Sequence, residues 1–311
     1  YNGTFQTFDP STGQTAYVDQ YLRLRQISRE LGGVLSYPFS RVHRVELTAG
    51  LRNLSYDYER RSNLVSVTGE LIDQIREDVD SPDPLYLGVS SLALVYDNSF
   101  YGIASPILGQ RYRIEVSPMF GSLDMVTGLV DFRKYVMPAR PFTLAGRLMH
   151  FGRYGPGGDD ERMRPMFLGY SSMVRGYDYS SFSSSECVSA NNDGTCPVFD
   201  QLWGTKIIVG NVELRFPPLG ALGLGGGYFG YLPLEMAVFA DGGLAWSTDN
   251  PETVENDNAF FMGGDRRPVY SAGVSFRFNL FGYFMLGMDI VKPFQRPGKG
   301  WHIQFNMSPG F

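Results

Sequence analysis

Over Val269–Phe278 the chain alternates without a lapse: Tyr270, Ala272, Val274, Phe276 and Phe278 lie on one set of positions, and Ser271, Gly273, Ser275 and Arg277 lie between them. A period of two places successive side chains on opposite faces of an extended strand, and a helix would scatter them. The same split recurs at Thr205–Phe216, where Ile208, Val212, Leu214 and Phe216 oppose Asn211, Glu213 and Arg215. At Tyr283–Lys292, Phe284, Leu286, Met288 and Ile290 stand against Gly287 and Asp289. Near the end, Trp301, Ile303, Phe305 and Met307 oppose His302, Gln304 and Asn306. Weaker copies lie at Gln20–Gln26, Arg29–Tyr37, Arg44–Asn53, Leu87–Asp97, Gln110–Ser117, Met125–Tyr135, Phe142–Phe151 and Leu232–Asp241. Together they make about twelve strands of roughly ten residues, the length that crosses a bilayer at a steep tilt. Tyr37-Pro38, Pro118 to Gly121, Pro138, Pro217-Pro218 and Phe281-Gly282 supply turn chemistry between them.

The second face of these strands decides what environment they need. It carries Arg111, Arg113, Glu115, Asp131, Arg133, Arg147, Glu213, Arg215, Glu235, Asp241, Arg277 and Asp289. A dry core would charge several kcal/mol for each of these unless it were paired. A membrane barrel avoids that cost, with lipid against its apolar face, aromatics at its rims and a wet lumen. An aromatic content of 14% excludes disorder. Helical spans are excluded too, since the longest apolar candidate, Leu219–Ala240, is broken by Gly and Pro and holds Glu235. A net charge of −5 without basic runs leaves no footprint for nucleic acid. The sequence opens at Tyr1 without a basic-then-apolar leader and reads as an interior or mature piece.

Three segments break the alternation. Asn63–Val79 has Leu64, Val67, Leu71, Ile75 and Val79 at helical spacing, which predicts a short amphipathic helix on a loop in preference to an irregular strand pair. Phe151–Gly204 is far too long for a turn, and structureless loops of that size mainly serve function. Trp246–Arg267 is a second long loop, acidic in character.

Within the longest loop stands Val174-Arg175-Gly176-Tyr177, and two strands further on comes Phe239-Ala240-Asp241-Gly242-Gly243. Together, in this order, they resemble the Omp85 superfamily, the sixteen-stranded outer-membrane barrels of the bacterial surface antigen (D15) type. In that family the Arg-Gly-aromatic tip folds back into the lumen and its Arg meets the acidic residue of a Phe-x-Asp-x-Gly strand. The stretch Asn211-Val212-Glu213-Leu214-Arg215-Phe216-Pro217 also resembles the family's strand after the loop, and five strands fit between the loop and the end, as the family requires. Phe311, with Phe305 before it, resembles the terminal aromatic signal read during assembly, although Pro309-Gly310 interrupts it.

The resemblance implies an all-β transmembrane antiparallel barrel over 1–311, with 152–204 as a lumen-inserted loop. About six strands precede the loop where the family has eleven, so the missing strands and any periplasmic domains stand outside this sequence. The physical reading of the tip is independent of the family. A guanidinium presents a fixed fork of donors to a carboxylate, and Gly176 lets the backbone turn tightly beside it. Glu213, Glu235 and Asp241 share the polar parity of their strands, so Arg175 has up to three acidic partners. Val174, Tyr177, Phe239 and Gly243 complete the expected lock.

Cys187 and Cys196, the only cysteines, lie nine apart in the same loop and read as a disulfide. Metal ligation lacks partners, because His43, His150 and His302 sit on distant strands. Asn191, Asn192, Asp193 and Gly194 read as an Asx-rich turn, since the twelve-residue calcium pattern is absent. Asp159, Asp160 and Glu161 read as a solvated acidic tip that cations bridging lipopolysaccharide could use. Gly223–Gly227 reads as a hairpin turn, with no following helix to make a phosphate loop. Neither a Gly-x-Ser-x-Gly nor a His-Glu-x-x-His motif occurs, so no enzyme, cofactor or metal is expected.

The resemblance implies a bacterial outer-membrane barrel that inserts or translocates proteins through a poorly paired seam between first and last strands, in contact with lipid, lipopolysaccharide and client proteins. A non-catalytic anchor or accessory subunit of a larger complex, and a passive channel, are the alternative roles.

Overall fold

Strands of alternating character pair with their sequence neighbours wherever turns are short, and that rule builds most of this molecule. The computed structural model describes residues 2–8, 15–102, 104–187, 196–221, 234–248, 256–280, 284–296 and 298–307. Its strands are β1 (Asn2–Phe8), β2 (Thr15–Pro38), β3 (His43–Ser66), β4 (Leu71–Val79), β5 (Leu85–Asp97), β6 (Phe100–Tyr101), β7 (Pro106–Gly121) and β8 (Met125–Ala139). Then come β9 (Phe142–Tyr154), β10 (Met166–Phe167), β11 (Trp203–Gly204), β12 (Lys206–Phe216), β13 (Leu234–Trp246), β14 (Val269–Leu280), β15 (Phe284–Pro293) and β16 (His302–Asn306). The only α-helices among the described residues are single turns, α1 (Pro197–Asp200) and α2 (Pro218–Ala221), and none is long or apolar enough to cross a membrane.

The chain divides into two units. In the first, Tyr1–Gly33 with Ala49–Val89 and Met119–Leu123, β1 pairs antiparallel with β2. The two segments read as separate strands, Gln20–Gln26 and Arg29–Tyr37, are one strand of 24 residues. Gly32 and Gly50 mark a close approach of backbones: a Cβ on Gly32 would lie 2.9 Å from the Ala49 carbonyl oxygen. The helix expected over Asn63–Val79 does not form. Its residues are the end of β3, a turn, and β4, which pair as a hairpin from Tyr58↔Val79 to Val65↔Leu71. Gly69 takes φ +87° in the turn, and the Ser66 N–H donates to the Glu70 carbonyl at 2.8 Å. Leu71, Ile75 and Val79 recur every four residues, and a spacing of four returns to the same face in a strand as well as in a helix.

The second unit, Val34–Thr48 with Ser90–Pro118 and Asp124–Phe311, holds the long loop and the five strands after it. Its hydrogen-bonded order is β7-β8-β9-β12-β13-β14-β15-β16. All registers from β8 to β16 are antiparallel, with Asn211 opposite both Arg147 and Asp241. The predicted faces are present. On β12 Asn211, Glu213 and Arg215 are buried while Val212 and Leu214 are exposed, and on β14 Ser271, Ser275 and Arg277 are buried while Tyr270 faces out. One feature departs from a wet inner face. At the loop end of the strands the inward residues are apolar, and Met149, Ile207, Val209, Ala245 and Val269 pack against Phe167, Leu168, Val174, Tyr177 and Leu202 of the loop. Loop and sheet thus share one apolar core, and the strand positions that meet the loop are no longer polar because water does not reach them.

Candidate functional site

The loop between β9 and β12 places its tip deep on this buried face of the sheet. Val174 and Tyr177 are fully buried, and Arg175 between them is 5% exposed. Two glycines make room for the tip. Gly176 adopts φ +86°, a conformation costly for any residue with a Cβ, and a Cβ there would also lie 2.9 Å from Val291 Cγ2. On β13, a Cβ at Gly243 would lie 2.7 Å from Val174 Cγ2 and 2.8 Å from Leu168 Cδ1.

Arg175 uses its whole fork. Its Nε donates to Asp241 Oδ2 and its Nη2 to Asp241 Oδ1, each at 2.7 Å, and its Nη1 donates to Glu213 Oε1 at 2.7 Å. The Arg175 backbone N–H adds a bond to Asp241 Oδ2 at 3.2 Å. The guanidinium carbon sits 3.5 Å from the Phe239 ring centroid, so the ring face covers the cation. Phe239, Asp241 and Gly243 line up because they are alternate residues of one strand.

The charges continue beneath the tip as a paired network. Glu213 also accepts from Arg277 Nη2 at 2.6 Å and from Arg215 Nε at 2.7 Å. Arg277 Nη1 reaches Glu235 Oε1 at 3.1 Å, and the Ser105 hydroxyl donates to the Glu235 carboxylate at 2.7 Å. Arg215 Nη1 donates to the Pro106 carbonyl at 3.0 Å. Glu235 therefore goes to Arg277 and Ser105, and the three-acid set expected around Arg175 resolves into two, Asp241 and Glu213. Glu213, Arg215 and Glu235 are no more than 1% exposed. At this depth pairing, and not a wet lumen, meets the desolvation cost of the charged face.

Further contacts, several from residues outside the expected lock, also hold the tip. Asn211 Nδ2 bridges the Met173 carbonyl at 2.7 Å and Asp241 Oδ1 at 2.8 Å. Gln304 of β16 accepts from the Gly176 N–H at 2.8 Å, and the Tyr177 hydroxyl donates to Gln295 Oε1 at 2.8 Å. Arg296, past the end of β15, donates to the Gly176 carbonyl and Ser181 Oγ at 2.7 Å and to Glu186 at 2.8 and 2.9 Å. Its guanidinium carbon lies 3.8 Å from the Phe182 centroid. This second clasp holds the Glu186 carboxyl far below its ordinary 4.5, at about 2, chiefly through the hydrogen bonds from Arg296. Asn211 was legible, since it shares the parity of Glu213. Arg296 sits in no alternating pattern, and only the fold brings it to the loop.

Cys187 and Cys196 form a disulfide. The turn Asn191–Gly194, Gly223–Gly227, Pro309-Gly310 and Phe311 lie outside the described residues. Phe305 is 71% exposed on the face opposite Arg175. The acidic tip is engaged and not merely solvated: Asp159 accepts from the Thr205 hydroxyl and from the Thr248 N–H at 3.3 Å, and Asp160 pairs with Arg162 at 2.8 Å. Among the described residues no cluster of three or more His, Cys, Asp or Glu side chains is placed to hold a metal. His150 points away from the Arg175 face, with its Nδ1 2.9 Å from the Ile207 carbonyl oxygen and its ring stacked on Trp246.

A sequence model described as the Omp85 superfamily domain matches residues 110–311. A comparison with curated proteins finds no match. Among solved structures, "The crystal structure of BamA from Haemophilus ducreyi lacking POTRA domains 1-3" is similar over 94% of this chain, with a TM-score of 0.50 and 14% identity. This chain spans 61% of the length of that one, and the likeness is one of fold, an all-β antiparallel barrel type. The family match runs over more than half of the sequence, through the loop that carries Arg175 and all five strands after it, and the chain belongs to the Omp85 superfamily.

Proposed function

We propose that this chain is a bacterial outer-membrane barrel that takes part in inserting or translocating proteins at that membrane, with the 152–204 loop braced inside the lumen over the whole of a single barrel domain. Family membership supports the class of activity. The observation that carries the mechanism is the seating of Arg175 on Asp241 and Glu213, which ties a loop of about fifty residues to β12 and β13 by charge-assisted bonds in a site closed to water. Such a brace stiffens one wall while leaving strand edges elsewhere free, and an unpaired edge templates an incoming strand. Val174 and Gly243 serve by shape, Phe239 covers the cation, Tyr177 adds its hydroxyl bond to Gln295, and the Cys187–Cys196 bridge links two points of the loop. The proposed partners are lipid, lipopolysaccharide and unfolded outer-membrane proteins.

The test is reconstitution of the full-length gene product in lipid vesicles, with urea-unfolded outer-membrane protein added and folding read by heat-modifiable gel mobility. Faster folding than in empty vesicles, slowed by Arg175→Glu, is the expected result. Membrane-inserted protein that leaves the folding rate unchanged overturns the proposal. A passive channel would instead conduct ions at once; the apolar packing of Phe167, Leu168 and Leu202 against the strands argues for a filled bore.

A further inference from the structure

The opposite face of the same strands carries a second feature. Along β12 and β13 the outward positions run Ile208, Gly210 and Ala240, Gly242, Leu244, so small residues sit where neighbouring outward positions hold Leu148, Val212 and Val238. Leu148, Ile208, Leu244 and Tyr270 wall the gap, and Phe260 and Phe261 overhang it from the turn that follows β13. The result is an open apolar groove of about 520 Å³, inside the range of roughly 300–1,000 Å³ that small-molecule sites occupy. A Cβ on Gly210 would meet nothing within 4 Å.

The overhang is held, not trailing. Arg266 donates to Asp257 at 2.8 and 3.0 Å and to the Asp200 carbonyl at 2.7 Å, and Phe261 packs edge-on to Trp246 at 5.9 Å. Yet Phe260, Phe261 and Met262 remain 44%, 59% and 59% exposed, which is costly in water and favourable in lipid. Next to Arg266, Arg267 is exposed, and its guanidinium carbon stands 5.8 Å from the Phe260 ring centroid. A cation at the mouth of an apolar groove is complementary to an anionic head carried on a hydrocarbon chain.

We propose that this groove seats one acyl chain of a phosphorylated membrane lipid, with its phosphate at Arg267. The inference rests on the reading of the outward face as lipid-facing and adds to it a defined site and head-group charge. The floor at Gly210 and Ala240 accepts the chain, Phe261 and Tyr270, whose ring lies over Gly242, flank it, and the guanidinium supplies two parallel donors to the phosphate oxygens.

The test uses the full-length protein in phosphatidylcholine nanodiscs and follows retention of added phosphatidic acid by native mass spectrometry. One phosphatidic acid per protein is expected to persist, with retention falling about tenfold in Gly210→Phe, which fills the groove from a position where a Cβ touches nothing, and in Arg267→Glu. Ala240→Leu serves as the second groove-filling variant should Gly210→Phe fold poorly. Equal retention in wild type and both filled variants overturns the groove. Equal retention of phosphatidylcholine and phosphatidic acid overturns the phosphate contact. Protein that stays monodisperse without detergent and refuses the nanodisc overturns the lipid-facing reading itself, and the groove with it.

Discussion

Replacing Arg175 with Met keeps a long apolar stem over Phe239 and removes the fork. Three side-chain bonds are lost, two to Asp241 and one to Glu213, all at 2.7 Å. Breaking a buried pair by removing one partner costs about 3–5 kcal/mol, because the remaining charge stays buried. Here the lower end applies, since Asp241 keeps Asn211, and Glu213 keeps Arg215 and Arg277. The apolar cluster around Leu168, Tyr177 and Leu202 still holds the rest of the loop, so the loss is confined to the tip. About 3 kcal/mol corresponds to roughly a hundredfold change in the open population of the tip. Hydrogen exchange reads it directly, because the amides of Arg175 and Gly176 donate to Asp241 and Gln304. In the full-length protein, peptides spanning 171–181 are expected to exchange about a hundredfold faster in Arg175→Met. Adding Asp241→Asn removes the orphaned charge and is expected to recover part of the protection, a coupling of about 1–2 kcal/mol. Wild-type exchange in the single variant, or strict additivity in the double, would refute the pairing as the force that seats the tip.

Gly243→Val drives a side chain into Val174 and Leu168, and its expected cost of about 1–3 kcal/mol shows as a lower unfolding temperature on heat-modifiable gels; Gly146→Val, on the open face with nothing within 4 Å of its Cβ, is the neutral control. Glu186 carries a folded pKa of about 2 against an ordinary 4.5. A depressed carboxyl contributes stability above its unfolded pKa and loses it as pH falls, so the Arg296 clasp weakens between about pH 4.5 and pH 2. Pepsin cleavage of 178–187 across that range, normalised to an unfolded substrate, is the readout, and Glu186→Gln flattens its pH dependence. Removing the disulfide with Cys187→Ala and Cys196→Ala opens a closed loop of nine-residue separation, an expected loss of about 2–3 kcal/mol on the chain-entropy model, measured as faster proteolysis between β9 and β12 with the β12–β16 core intact.

Period-two alternation is a local property, and it sufficed to name the faces of β12, β14, β15 and β16 residue by residue, because each Cβ direction follows from its neighbour's. The Arg-Gly-Tyr tip and the Phe-x-Asp-Gly-Gly strand were likewise readable, as was the bridge between Cys187 and Cys196. Alternation failed where two periods coincide: apolar residues four apart at Leu71, Ile75 and Val79 suit a helix and a strand equally, and the hairpin turn at Gly69 settles the matter. It also says nothing of which carboxylate an arginine will choose. Asp241 over Glu235 for Arg175, Ser105 for Glu235, and Arg296 for Gly176 and Glu186 join residues far apart along the chain. Those choices follow from strand register and from where a folded-back loop comes to rest, and each buried charge takes the partner that assembly leaves within reach.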